Sequence, residues 1–235
     1  MGNTIRVKTP GLLVWVTVGL VSIIVLPLSW PRFQASFRYL PVEIAIKRFF
    51  ANQEIPTERL PVLIDFAEQA IAYNDDYSYR DGLSLLHYLR ALDPFTPALE
   101  RRPAYRLAES EAIISLQQAP AQPKIWLRLA TIRWILHDEP ETIIGPWKMS
   151  IFTGRTYSTI VAARVDMGLA YHEYMDAEAV TMLRDQLLLA WRISASSLVA
   201  VLARRDRNLA VTRELLQNTH PEAMAEMEAM LEKLR

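Results

Sequence analysis

The stretch "GLLVWVTVGLVSIIVLPLSW", Gly11 to Trp30, runs for 20 residues without a charged side chain. A helix of that length reaches about 30 Å, the thickness of the hydrocarbon core of a bilayer. A cleaved signal peptide would carry an apolar region of about 7–15 residues, followed by small residues at the cleavage site. The continuation "PLSWPRFQASF" offers no such site. The sequence therefore predicts an uncleaved single transmembrane helix over 11–30, with the lipid bilayer as its partner. Trp30 and Arg32 stand at the membrane interface, and Pro27 sits near the exit, where helical hydrogen bonding is ending. A short tail, residues 1–10, holds Arg6 and Lys8. On the other side lie Arg32, Arg38, Lys47 and Arg48, so counting basic residues slightly favours a cytoplasmic domain without deciding the orientation.

Beyond the span the chain reads as helix. Glycine occurs only 7 times in 235 residues, while alanine, leucine, glutamate and arginine dominate after residue 57. No segment alternates polar and apolar residues long enough for a strand. Residues 31–56 form a juxtamembrane amphipathic segment. Its part Phe37–Gln53 can pack on the following domain, the favoured reading, or lie on the lipid surface. Residues 57–235 form the main domain. Helices are expected near 57–73, 78–91 and 103–119, the last with Pro103 in its first turn, where a missing N–H costs nothing. A long helix carries one apolar stripe through Val180, Leu183, Leu187, Ala190, Trp191, Ser194, Leu198 and Val201. Arg184, Asp185 and Arg192 argue against a second membrane span there. A final helix opens at Pro221 and lines a face with Met224, Met227, Met230, Leu231 and Leu234, with Lys233 and Arg235 at its carboxyl end.

The most informative pattern is a hairpin. Ala108, Ala112 and Ser115 place small residues on one helix face, Pro120 stops that helix, and Trp126, Leu129 and Ala130 open an antiparallel partner. Small face, proline stop and bulky residue after the turn together resemble the tetratricopeptide repeat. That resemblance implies an all-α fold in which the N-terminal span is followed by a stack of antiparallel helical hairpins. The wider layout, with "WLRLA", "SIFTGR", "ARVDMGLAY" and "LLLAWR", resembles the VpsP-like accessory proteins of bacterial exopolysaccharide machinery. Trp126, Leu129, Ala130, Ser150, Thr153, Gly154, Arg164, Gly168, Leu169, Ala190 and Trp191 carry that likeness. It implies the bacterial inner membrane, a periplasmic domain and a role in assembly.

Signatures of chemistry are sparse. Basic and acidic residues balance at 26 each, without the basic excess of a nucleic-acid binder. Cysteine is absent, which removes disulfides, thiolate metal sites and cysteine nucleophiles. No glycine-rich phosphate loop occurs. In "HEYMD", His172 and Asp176 stand four apart on an expected helix, but the second histidine of a zincin is missing, so an exposed polar edge is the better reading. Tyr73, Asp75, Asp76 and Tyr77, within "YNDDYSY", are the candidate polysaccharide contacts. The blander reading has Asn74 or Asp75 ending one helix and Asp76 or Ser78 capping the next. "HDEPE", His137 to Glu141, reads as an acidic loop before a helix. "ARRDR", Ala203 to Arg207, reads as the solvated end of the long helix, favoured by its dipole.

No catalytic, cofactor or metal residues are assigned. The expectation is a non-catalytic scaffold that binds protein partners of a membrane complex. The alternative is an accessory subunit docked through the span itself, where Gly11, Gly19 and Ser22 permit close helix contact; a glycan-active enzyme comes third.

Overall fold

A computed structural model describes residues 11–233, without the side chains of residues 12, 13, 16, 21, 24 and 26. Arg6, Lys8, Leu234 and Arg235 lie outside the described residues. The described chain is all-helical, with ten α-helices and no strand. It divides after Tyr79 into two compact units.

The first unit holds α1 (Leu12–Phe50) and α2 (Leu60–Tyr73). α1 does not end near Pro27. It continues as one 39-residue helix through Pro27, Pro31 and Pro41, so the segments expected as span and juxtamembrane region form one element. Each proline removes one N–H from the helical ladder but leaves its neighbours bonded. Beyond the second proline, tertiary packing holds the helix: Ala35, Tyr39 and Val42 are buried. On α2 the matching face is Leu60, Leu63, Ile64, Ala67 and Ala70. Arg38 Nη1 donates to Gln69 Oε1 at 2.9 Å, and the Tyr39 ring meets that of Tyr79 at 4.6 Å. Packing on the domain, not on lipid, thus accounts for this face. α1 ends at a left-handed residue, Asn52 (φ 60°), with the Gln53 N–H returning to the Arg48 carbonyl. This is a Schellman-type stop made with asparagine in place of glycine. α2, which the sequence reading counts with the hairpin domain, packs on α1.

The second unit begins inside α3 (Tyr77–Leu92) and continues with α4 (Ala98–Gln118), α5 (Pro123–Leu136), α6 (Pro140–Thr153), α7 (Val161–Ala170), α8 (Ala177–Ala203), α9 (Asp206–Leu216) and α10 (Pro221–Glu232). α4 starts one turn earlier than expected. Pro97 precedes it and Pro103 lies inside it. The turn before it is pinned by Asp93, whose carboxylate accepts from the Phe95 N–H, and by Arg101, which donates to the carbonyls of Thr96 and Pro94.

α4 and α5 run antiparallel. Ala104 and Ala108 cluster with Ile132 and Leu136, and Ala112 and Leu116 with Leu129 and Ile125. Positions thus descend along one helix as they rise along the other. The other side of α5, Leu127 and Ala130, joins the main core built from α6 to α10. α8 is long and apolar enough to cross a membrane. However, Leu183, Gln186, Leu187, Ala190, Leu198, Val199 and Leu202 are buried within the unit, and that burial identifies α8 as a core helix. It kinks at Ser194 (φ −157°, ψ 61°), a break the sequence reading did not place.

α9 was not expected. "ARRDR" is the solvated end of α8, as expected, and also its junction with α9. Two of its arginines are paired: Arg204 with Asp166 at 2.7 Å and Arg207 with Glu173 at 2.9 Å. His172 and Asp176 do not share a helix either. His172–Tyr174 is a 3-10 turn, and Asp176 caps α8 by accepting from the Ala179 N–H at 2.7 Å.

One buried cation ties the second unit together. Arg164 on α7 is fully buried, and no carboxylate among the described residues pairs with it. Its guanidinium donates to Ser150 Oγ (2.9 Å), the Ser150 carbonyl, the Gly154 carbonyl (3.0 Å) and Gln186 Oε1 (3.4 Å). Ser150 Oγ in turn donates to the Pro123 carbonyl, and the Trp147 indole N–H donates to the Arg164 carbonyl. Two glycines permit this approach. A Cβ on Gly154 would stand 2.8 Å from the Pro123 ring, and one on Gly168 would stand 2.6 Å from Leu183. Burial pushes the Arg164 guanidinium down to about 10. Replacing Arg164 with Met strands the Ser150 and Gly154 carbonyls. A loss of about 2–4 kcal/mol is expected in denaturant unfolding. Arg164→Lys should rescue little, because a point ammonium cannot span the four acceptors.

A second polar group is buried on α3. His87 is 5% exposed and its Nδ1 has no partner. Burial, then nearby Arg90, lowers its pKa to about 4. The folded state keeps this imidazole neutral, whereas the unfolded chain protonates below about 6.5. Its contribution to stability is therefore complete above that pH and lost as pH falls towards 4, by up to about 3 kcal/mol. Thermal melts between pH 7 and pH 4 should show this slope, and His87→Leu should flatten it.

Candidate interaction groove

The hairpin residues picked out in the sequence come together. Ala108, Ala112 and Ser115 are fully buried. From α5, Ile125, Leu129 and Ile132 face this stripe as buried side chains, and half-buried Trp126 packs against the Ala112 end of it. Ser84 of α3 also reaches it, donating to the Ala108 carbonyl at 2.8 Å. Ala130 points into the main core. Trp126 lies one residue, or about 100°, around α5 from Ile125. It is half-buried, and its indole N–H donates across the turn to the Pro120 carbonyl at 2.7 Å. Pro120 is thus both the helix stop and the acceptor that fixes the tryptophan ring.

Turned outward, Trp126 becomes a wall of a groove. A cleft of about 660 Å³ runs between α4, α5 and α6, lined by Ile113, Pro120, Trp126, Gly145, Pro146 and Met149. Gly145 contributes by its smallness: a Cβ there would meet nothing within 4 Å, so packing does not require glycine. Local geometry favours it, because Pro146 follows and a Cβ before a helical proline crowds the ring.

One end of the groove is charged. Arg133 lines the apolar cleft and also a neighbouring polar hollow of about 360 Å³, with Glu109, His137, Asp138, Glu139 and Thr142. Arg133 Nε donates to Glu109 at 2.8 Å, and Arg106 donates twice to Asp138, at 2.7 and 2.9 Å. Hydrogen bonds from Arg106 hold the Asp138 carboxyl below its usual range. His137 takes a left-handed conformation (φ 58°) that closes α5. "HDEPE" is therefore a charged rim fixed to α4.

The remaining candidates stand elsewhere. Asp76 caps α3, accepting from the Ser78 N–H at 2.9 Å, and Asn74 closes α2. Tyr73 and Tyr77 are exposed beside this turn, as is Asp75. Trp30 and Arg32 are exposed on α1, with Trp30 stacked on Phe33 at 5.7 Å. No group of three or more His, Cys, Asp or Glu side chains suited to a metal occurs among the described residues. Ser150, Gly154, Arg164 and Gly168 converge on the Arg164 network, inside the core and away from the groove.

The two kinds of tryptophan should separate in mutational stability. Trp147→Ala removes a fully buried ring and should cost about 3–5 kcal/mol. Trp126→Ala exposes one side of a groove already open and should cost about 1–2 kcal/mol in the same unfolding assay. Searches against protein-family models and curated proteins return no match to the chain.

Proposed function

We propose that this chain is a membrane-anchored, non-catalytic scaffold whose tetratricopeptide-like hairpins hold a protein partner in the groove beside Trp126. The groove is the observation that carries the reading. It combines an apolar trough with a fixed charged rim, the surface on which an extended or helical segment finds both burial and register. Its occupant is a partner segment with apolar side chains for the trough and a polar group for the Arg133 end.

Anchoring by the first helix has its own support. Along α1, Trp15, Leu20, Ile23 and Leu28 are between 59% and 73% exposed. A continuous apolar surface of this kind is costly in water and matched to lipid. The likeness to VpsP-like accessory proteins supports placing the partner in exopolysaccharide synthesis or export, with the domain in the periplasm of a bacterial inner membrane. A second reading, an accessory subunit docked through its span, draws on Gly19, whose surroundings are open on an exposed apolar face.

These readings separate in intact cells. Gly145→Leu places a side chain in the groove, where its Cβ meets open space apart from the adjoining Pro146 ring. On the scaffold reading, recovery of the partner in mild detergent should fall about tenfold or more while the variant stays in the membrane. An unrelated membrane span in place of residues 11–30 should preserve function. Loss of function on swapping the span, with Gly145→Leu silent, would establish the subunit reading instead.

A further inference from the structure

α1 carries a second pattern beyond the bilayer reach of its span. Trp30, Phe33, Phe37, Leu40 and Ile44 follow one another at intervals of three, four, three and four residues, and each is between 43% and 65% exposed. This is the a/d spacing of a heptad repeat, which keeps a narrow seam facing one neighbouring helix. In that frame Ala35 and Val42 are f positions and Tyr39 is a c position, and these are the residues buried against α2. α1 therefore buries its c/f face within its own unit and leaves the a/d residues exposed, with Leu40 and Ile44 also bordering a hollow beside residues 53–63. Towards the span, Gly19 and Ile23 continue the same frame and are exposed.

Lipid does not reach the whole seam. With Trp30 at the interface, Leu40 and Ile44 stand about 15 Å and about 21 Å further along a continuous helix. The headgroup region is only about 5–8 Å deep. From these positions we infer that the seam is the interface of a parallel homodimer, in which α1 of one chain lies against α1 of a second copy.

Three observations favour a second copy over an unrelated helix. A shared bilayer sets two copies of one span parallel and level, so identical a/d positions meet without further selection. The flanking charges match that register: Glu43 is a g position and Arg48 is the e position five residues on, the pair that attracts across a parallel dimer. Both are exposed, and Glu43 already holds Lys47 at 2.6 Å, leaving Arg48 to meet the second chain's Glu43. Covering the five apolar side chains on two copies removes on the order of 1,000 Å² from water, the size of a specific interface.

This inference rests on the membrane-anchored reading, and the test keeps the two apart. The chain has no cysteine, so a single introduced one reports alone. Single-cysteine variants at each position from 32 to 48 of the full chain would be oxidised in native membranes. Disulfide-linked dimer should peak at Phe37→Cys, Leu40→Cys and Ile44→Cys, several-fold above Arg32→Cys and Tyr39→Cys. In the Leu40→Cys background, Glu43→Arg should lower the dimer band several-fold, and Glu43→Arg with Arg48→Glu should restore it. A chain that resists alkaline carbonate extraction but gives no three-four periodicity would overturn the dimer alone, leaving lipid or another protein on the seam. A chain released by carbonate would overturn both the anchor and the dimer.

Discussion

A guanidinium without a carboxylate holds the second unit in one arrangement. Burying a cation costs several kcal/mol unless its hydrogen bonds are replaced. Arg164 replaces them with the carbonyls of Ser150 and Gly154, the Ser150 hydroxyl and the Gln186 amide, drawn from the end of α6 and from α8. Each acceptor is a dipole fixed by its own helix or turn, so the cation is solvated only when α6, α7 and α8 stand in register. Trp147 and Gly168 complete the same contact, one by an N–H to the Arg164 carbonyl and the other by leaving room for Leu183. The outer wall of the groove is α6, so this interior network also fixes where Gly145 and Met149 stand.

How much of this was legible depends on the range of the interaction. Local periodicity found α2, α3, α8 and α10, and the small stripe of α4 with the Pro120 stop found the α4–α5 hairpin. Two features decided by longer contacts escaped. α1 runs on through Pro27, Pro31 and Pro41, and beyond Pro31 α2 packs on it, which no proline rule foresees. Trp126 packs on the alanine cluster beside Ile125 as expected, but that its other side lines a groove was not legible, because about 100° of rotation between the two residues decides it. α9 was missed for a different reason. Asn208, Val211, Thr212, Leu215 and Leu216 follow helical spacing, and all are buried. The arginine run beside them drew attention as a charged terminus and masked the stripe.

The candidate site was half visible. Pro120, Trp126 and Leu129 were marked for their part in a hairpin, and they also bound the groove. Met149, Gly145 and Pro146 gave no signal, since their relevance arises only once α6 folds back beside α5. The residues of "SIFTGR" and "ARVDMGLAY" were noted as a likeness without a physical role. Their role is interior: hydroxyl, glycine and guanidinium are the three ingredients needed to bury a cation among backbone dipoles.

Charge and apolar surface divide the labour of recognition. Acidic and basic residues are equal in number, and several pair across helices, such as Arg80 with Glu111, Arg106 with Asp138 and Arg213 with Glu228. Such pairs at a surface add little stability, and they leave no single-signed field to attract a polyanion or polycation. The surfaces left open are apolar: the trough at Trp126 and the seam from Trp30 to Ile44. Charges at their edges, Arg133 with Glu109 and Glu43 with Arg48, then set orientation, while burial supplies affinity. On the proposed reading, a chain with no net charge and two apolar faces would hold its neighbours by shape more than by charge.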